Sequence, residues 1–281
     1  MDWLNFFVAD VRDGLGPYLA IYLLAVHHWR PDSIGLVMTI SGLAALAAQT
    51  PAGALVDRAS NKRALLIAAA VLVTGACMAL LANASFAWVT ITQALAGAAS
   101  SVFAPAIAGI TLGLTAANAF TRRIARNESY NHAGNAFAAL LAGGLAYLWG
   151  PVAVFYLMAA MALASVAAAS YLPAQIDLDR ARGLDPGTGG AADAQPIPLR
   201  QLLSHRSLLL LALSCGLFHL ANAAMLPLVG QKLALANPAL ATPLTAACIV
   251  AAQFVMTPAA MAVGRYADRL GRKKLLLIGF A

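Results

Sequence analysis

The chain has 281 residues, of which 61% are hydrophobic and 10% charged, with a mean hydropathy of +0.77. Soluble domains carry about 25% charged residues, so this composition excludes a water-soluble globular protein and makes lipid the solvent. The formal net charge of +7 would suggest nucleic acid in a soluble chain, but here the basic residues fill loops between apolar runs, so no nucleic-acid partner is expected.

A spanning helix needs about 20 mostly apolar residues. Eight such runs follow one another, at 5–26, 34–56, 64–81, 87–115, 132–149, 152–172, 207–235 and 243–263. A ninth begins at Leu275 and is expected to stop early, at the chain's last residue, Ala281. Asp2 and the lack of any Lys or Arg before the first run argue against a cleaved signal, so the first helix is expected to stay. Pro105 lies inside the fourth run, and Pro227 predicts a kink in the seventh. Segment 173–206 contains Asp, Arg, Gly and Pro and reads as a flexible linker. It divides the chain into a six-helix unit, 1–172, and a second unit, 207–281.

Charge alternates from loop to loop. Fifteen of the 18 Lys and Arg residues fall in every second connection: around Arg58, around Arg122, from Arg180 to Arg206, and from Arg265 to Lys274. The positive-inside rule puts these loops, and with them the N-terminus, on the cytoplasmic side of the plasma membrane.

Two of these loops resemble each other. Gly53-Ala-Leu-Val-Asp57-Arg58-Ala-Ser60-Asn61-Lys62-Arg63 joins spans two and three. Gly264-Arg-Tyr-Ala-Asp268-Arg269-Leu-Gly271-Arg272-Lys273-Lys274 joins spans eight and nine. In each, Gly admits a neighbouring helix, Asp can pair with basic groups or cap a helix, and the basic cluster suits anionic headgroups. Together they read as a polar latch between helix ends. Repetition at this spacing marks two related six-helix halves.

Gly-x-x-x-Asp-Arg-x-Gly-Arg-Lys between helices two and three, echoed between eight and nine, resembles the signature of the major facilitator superfamily. The second copy matches fully, while the first has Ser60 for Gly and Asn61 for Arg. The resemblance implies an all-α polytopic fold of twelve helices in two bundles, alternating access, and a solute cavity between the bundles. This chain is then one complete bundle plus the first two to three helices of another. It also implies a monomer with a small-molecule substrate and no cofactor or metal.

A charge at the centre of a spanning helix costs about 2.5–3.5 kcal/mol, so such residues point to function or to partners. Asp10, Arg12 and Asp13 stand in the first run, ahead of Gly14-Leu-Gly16-Pro17. Asp10 and Asp13 share a helix face and are candidates for proton binding, with Arg12 directed to another helix or to the headgroups. The alternative is a helix that starts later, with the whole cluster in the headgroups. In the seventh run Cys215, His219 and Asn222 share one face. The resemblance implies that His219 and Asn222 contact the solute; interhelical hydrogen bonding is the other reading. Gln49, Gln93, Asn135 and Gln253 are single polar residues whose hydrogen bonds would join helices, and Gln93 and Asn135 are candidate cavity residues.

Two further signatures of the family are incomplete. Gln93-Ala-Leu-Ala-Gly97 lacks the arginine that the fourth-helix pattern carries. In the fifth helix, Gly134, Gly143 and Gly144 are present, but Gly150-Pro151 falls in the outer loop. Cys77, Cys215 and Cys248 each lie alone in apolar runs and read as buried small residues. No His-Glu-x-x-His, Gly-x-Ser-x-Gly or phosphate-binding Gly-Lys-Ser/Thr loop occurs, which argues against an enzyme or an ATP-driven pump. Proton-coupled export of a small organic solute is the leading expectation, with a non-transporting sensor or scaffold derived from a transporter, or an inactive fragment, as the alternatives.

Overall fold

A computed structural model describes residues 1–13, 15–115, 117–173, 176–181, 204–222 and 224–280, apart from the side chains of residues 117, 118, 268 and 280. The described residues form helices and connections, with no strand among them. The first run is two helices, α1 (Asp2–Asp13) and α2 (Gly16–Ala25). Runs two and three are α3 (Pro31–Arg58) and α4 (Lys62–Met78). The fourth is α5 (Phe86–Ser100) and α6 (Phe103–Leu114). The fifth lies in α7 (Ala117–Trp149) and the sixth is α8 (Ala153–Ser170). A single turn, α9 (Leu178–Ala181), follows. The seventh run is α10 (Arg206–Asn222) and α11 (Met225–Ala236). The eighth is α12 (Pro238–Leu270), and α13 (Arg272–Phe280) starts the ninth.

Three of the expected continuous spans are therefore broken, and each break lies just before a proline. Pro17, Pro105 and Pro227 all fall in the first turn of the second half-helix. Proline has no N–H to give to the preceding turn but suits a helix start, where that N–H is unused anyway. The seventh run thus turns at Ala224, three residues before Pro227, and not at Pro227 itself.

Among the described residues, six stretches are long and apolar enough to cross a membrane: Pro31–Arg58, Lys62–Leu81, Phe86–Leu114, Ala153–Ser170, Arg206–Ala236 and Pro238–Ala267. The two expected spans outside this set have clear causes. The first run is divided between Asp2–Asp13 and Gly16–Ala25, each too short to span, and carries three charges. The fifth is the apolar half of α7, whose other half, Ala117 to Asn131, is polar. At 33 residues, α7 and α12 each reach about 50 Å, longer than the ~30 Å hydrocarbon layer. Their polar ends project past it.

α7 is the central post. It packs against α1, α8 and α6 on one side and lies along α12 on the other. α1 also packs on α8, α3 on α5, and α4 on α5, α6 and α8, while α11 lies against α2 and α12. Val8, Val11, Ile21, Leu66, Phe103 and Phe155 are fully enclosed in this core. Outward faces are apolar too, with Leu140, Leu163 and Phe254 exposed, as lipid contact requires. α10 buries no residue. Cys77 is buried, but Cys215 is half-buried and Cys248 exposed, so only the first behaves as a core filler.

In the expected linker, α9 folds back onto α6. Residues 182–203, most of the linker, lie outside the described residues.

Candidate functional site

The break between α1 and α2 creates the site. Gly16 adopts φ +47°, and Pro17 opens α2. α1 therefore ends at Asp13, with Arg12 in its last turn, where a cation favours the helix dipole and a carboxylate opposes it. Asp13 is offset by a partner: Asn135 Nδ2 on α7 donates to its Oδ2 at 3.3 Å. Glu128 and His132, also on α7, are near enough for their charge to reach Asp13.

Asp10, one turn earlier on α1, lies within electrostatic reach of Tyr18 on α2 and Cys77 on α4. The Tyr18 hydroxyl is buried with no hydrogen-bond partner among the described residues. The helix starts at Asp2 and runs unbroken through Asp10 and Asp13, so the two carboxylates are on one helix but serve different neighbours.

Two cavities meet at Arg12 and Asp13. One, of about 210 Å³, reaches Met38, Ser41, Gln93 and Gly97. The other, of about 430 Å³, reaches Gln49, Gly53, Ser101 and Pro105. Arg12 makes no hydrogen bond or ion pair among the described residues and faces both openings. Gln93 is buried, its Nε2 lies 4.0 Å from Cys77 Sγ, and its backbone carbonyl accepts from Ser41 Oγ at 2.8 Å. α1, α3, α4 and α5 therefore meet around a polar pocket of the size of a small solute.

His219 and Asn222 are not brought to it. Both side chains are exposed and bond only their own helix, His219 Nδ1 to the Cys215 carbonyl at 2.9 Å and Asn222 Nδ2 to the Phe218 carbonyl at 2.8 Å. The shared face that the spacing predicts exists, but no other helix is packed on it among the described residues.

The repeated loops differ in construction. At the second, α12 runs to Leu270, and Gly271 alone, at φ +80°, turns the chain into α13. Only glycine adopts that conformation without strain. At the first, Ser60 stands in that place, and α3 instead ends two residues earlier, at Arg58, with an extended Ala59. Asn61 then caps α4 by accepting from the Ala64 N–H at 3.0 Å. The departures from the signature thus come with a different turn, held by a side-chain cap.

Lys62 is buried at this turn and donates to the carbonyls of Val56 and Ala59, while Gly109 on α6 leaves room for its stem. Arg63 donates to the Leu172 carbonyl at 2.6 Å, tying the loop to the end of α8. Asp57 and Arg58 are exposed. No close approach occurs at Gly53, where an added methyl would meet nothing within 4 Å; that glycine lines the larger cavity instead. At Gly264 the expected close approach is real, since a methyl there would overlap the Ala125 side chain on α7. Arg272 Nη2 donates to Thr121 Oγ1 at 3.3 Å. Arg269 and Lys273 are exposed, and the Asp268 side chain lies outside the described residues.

The interhelical hydrogen bond expected of Gln253 is made, and its partner is His132. His132 Nδ1 lies 2.6 Å from Gln253 Oε1, and Ser129 Oγ donates to the Thr257 carbonyl at 2.9 Å, both across α7 and α12. The signal for His132 was present: Glu128, His132 and Asn135 recur at i, i+4 and i+7 on α7. Among the described residues no group of three His, Cys, Asp or Glu could hold a metal ion.

Comparison with known proteins adds a family. The family model described as Major Facilitator Superfamily matches residues 3–281. Uncharacterized MFS-type transporters of Mycobacterium tuberculosis, from strains H37Rv and CDC 1551, are each 54% identical over 282 aligned residues. The alignments cover all of this chain and 67% of each relative.

Proposed function

Since this chain belongs to the major facilitator superfamily, a family of multi-pass membrane transporters, we propose that it moves a small organic solute by alternating access and exports it in exchange for protons. The observation that carries this reading is the Asp13–Asn135 hydrogen bond, at the mouth of a cavity that also holds Arg12 and Gln93. An ionised Asp13 accepts from the Asn135 amide N–H. A protonated Asp13 becomes a donor and needs the amide oxygen instead. Taking up a proton therefore changes how α1 is held to α7. Asp10, enclosed with the Tyr18 hydroxyl, is the second proton site. Arg12 supplies a fixed positive charge to an anionic group of the solute or to the ionised carboxylates. Gln93 and Asn135 provide neutral hydrogen bonds.

On this reading the N-terminus and both repeated motifs face the cytoplasmic side of the plasma membrane, which the charge of the basic loops supports. There the motif around Asp57, Arg58, Lys62 and Arg63, and that around Asp268, Arg269 and Arg272, act as latches that open and close with the bundles. The working unit is a monomer.

The test is proton-driven solute movement in everted membrane vesicles, followed with a pH-sensitive dye as candidate solutes are added. Asp13→Asn should abolish solute-dependent proton release, and Asp10→Asn should shift its pH dependence. An unchanged pH dependence in both variants would sink the proton-site assignment.

A further inference from the structure

The ends of α7 and α12 that carry the arginines enclose a cavity remote from Arg12 and Asp13. Arg122 and Arg126 come from α7, Arg265 and Arg269 from α12, and each pair is one turn apart on its helix. Together with Tyr130 and Tyr266 they line an opening of about 640 Å³. The contact of Gly264 with Ala125 locks the two backbones together beside it, so the four guanidinium groups cannot drift apart by helix separation. Arg126 is partly spoken for. Its Nη2 meets Asp2 Oδ2 at 2.5 Å, and its guanidinium carbon lies 5.6 Å from the Tyr130 ring centroid. Arg122, Arg265 and Arg269 make no hydrogen bond or ion pair among the described residues, and no carboxylate lines the cavity among them.

Like charges held this close repel unless an anion joins them. Several planar donor forks, with two tyrosines lining the same opening, match the oxygens of a phosphate better than a single carboxylate. We propose that this cavity binds a phosphate-bearing anion, which ties α7 to α12 at their arginine-rich ends. The anion is supplied either by the headgroup of an acidic phospholipid or by a soluble phosphate. Basic pockets between spanning helices suit headgroups, and each Lys or Arg there adds about fivefold to binding.

Binding is measured without transport, so the outcome is independent of the proton-coupling reading. The protein is placed in nanodiscs of phosphatidylcholine, with and without phosphatidylglycerol, and its thermal unfolding is followed. In a second arm, inorganic phosphate is added to the phosphatidylcholine discs. One of the two anions should raise Tm. Combined Arg122→Gln, Arg265→Gln and Arg269→Gln should weaken that anion's binding roughly 100-fold, with Arg180→Gln, outside the cavity, as the unchanged control. If the triple variant does not fold, Arg269→Gln alone should weaken binding about fivefold. A response to phosphatidylglycerol only assigns the site to a headgroup, and a response to inorganic phosphate assigns it to a soluble anion. Equal responses of the native protein and the arginine variants, or no response to either anion, would overturn the proposal.

Discussion

Gly134→Ala gives the sharpest test of how α1 is seated on α7. A methyl group at position 134 would overlap the backbone of α1 at Phe6, whose Cα lies 3.0 Å from the place of the new carbon and whose carbonyl is closer still. Carbon atoms rest about 3.5–4.0 Å apart. The obstacle is main chain and cannot swing away: the Phe6 carbonyl carbon would lie 2.8 Å from the new methyl, with its oxygen nearer still, so α1 must move by about 1 Å or more. The next residue along, Asn135, holds Asp13 at 3.3 Å, already at the long end of a hydrogen bond, and a shift of that size breaks it. Overpacking of this kind costs about 1–3 kcal/mol, and loss of a hydrogen bond to a charged group about 1.5–3 kcal/mol. Better helix propensity returns only about 0.5–1 kcal/mol. The expected net loss is about 1.5–5.5 kcal/mol. Denaturant unfolding in mixed micelles measures it, with Gly144→Ala as the reference, since a methyl there meets nothing within 4 Å. Equal stability of the two variants would mean that α1 does not contact α7 at Gly134.

Other expectations follow from single contacts. Lys62→Met leaves the carbonyls of Val56 and Ala59 without their buried donor and should destabilise the protein by about 1–3 kcal/mol in the same assay; a neutral result would refute the role of Lys62 as the clasp of the first loop. Asn61→Ala removes the α4 cap and should cost about 0.5–2 kcal/mol, whereas Asn61→Asp, which can still cap, should not. Asp2 binds Arg123 and Arg126, each at 2.5 Å, and its hydrogen bond to Arg126 raises that guanidinium above its ordinary value. These pairs are partly exposed, so Asp2→Asn should cost no more than about 1 kcal/mol and should matter less in high salt. Burial, then the nearby Arg123, holds the Met1 amino group below its ordinary value of 8.0. The folded state therefore binds fewer protons there than the unfolded one. Stability from this group should be complete above pH 8.0 and should fall as pH drops through the folded value. Acetylating the amino group should flatten that slope; an unchanged slope would place the origin elsewhere.

Parts of the site were legible from residue identity alone, because charge inside an apolar run is conspicuous. Asp10, Arg12, Asp13, Gln93 and Asn135 stood out this way, and Arg12, Asp13 and Gln93 share a cavity that Asn135 adjoins through Asp13. His219 and Asn222 stood out equally and do not reach that cavity. Spacing places residues on one face of a helix but says nothing of what that face meets. His132 sits at the edge of a run, where a polar residue is unremarkable, whereas its partner Gln253 stands inside a span and predicts an interhelical bond. The glycines show the same limit. The two copies of the loop both begin with glycine, yet a methyl at Gly264 would overlap α7 while one at Gly53 would meet nothing within 4 Å.

Composition, run length and loop charge settle by themselves that this is a many-span helical membrane protein with a repeated loop. Those properties belong to the chain's exchange with lipid and water, and each segment carries them independently of the others. A missing N–H makes a break possible at Pro17, Pro105 and Pro227, but Pro51, Pro243 and Pro258 lie inside unbroken helices, so the residue type alone does not decide which spans break. Tertiary structure alone decided which polar groups meet: Asp13 with Asn135, His132 with Gln253, and the arginines of α7 with those of α12. These pairings depend on the rotation and depth of each helix against its neighbours. Close contacts between non-neighbouring segments, such as Gly134 on Phe6 and Gly264 on Ala125, set that rotation and depth, and no single helix contains the information.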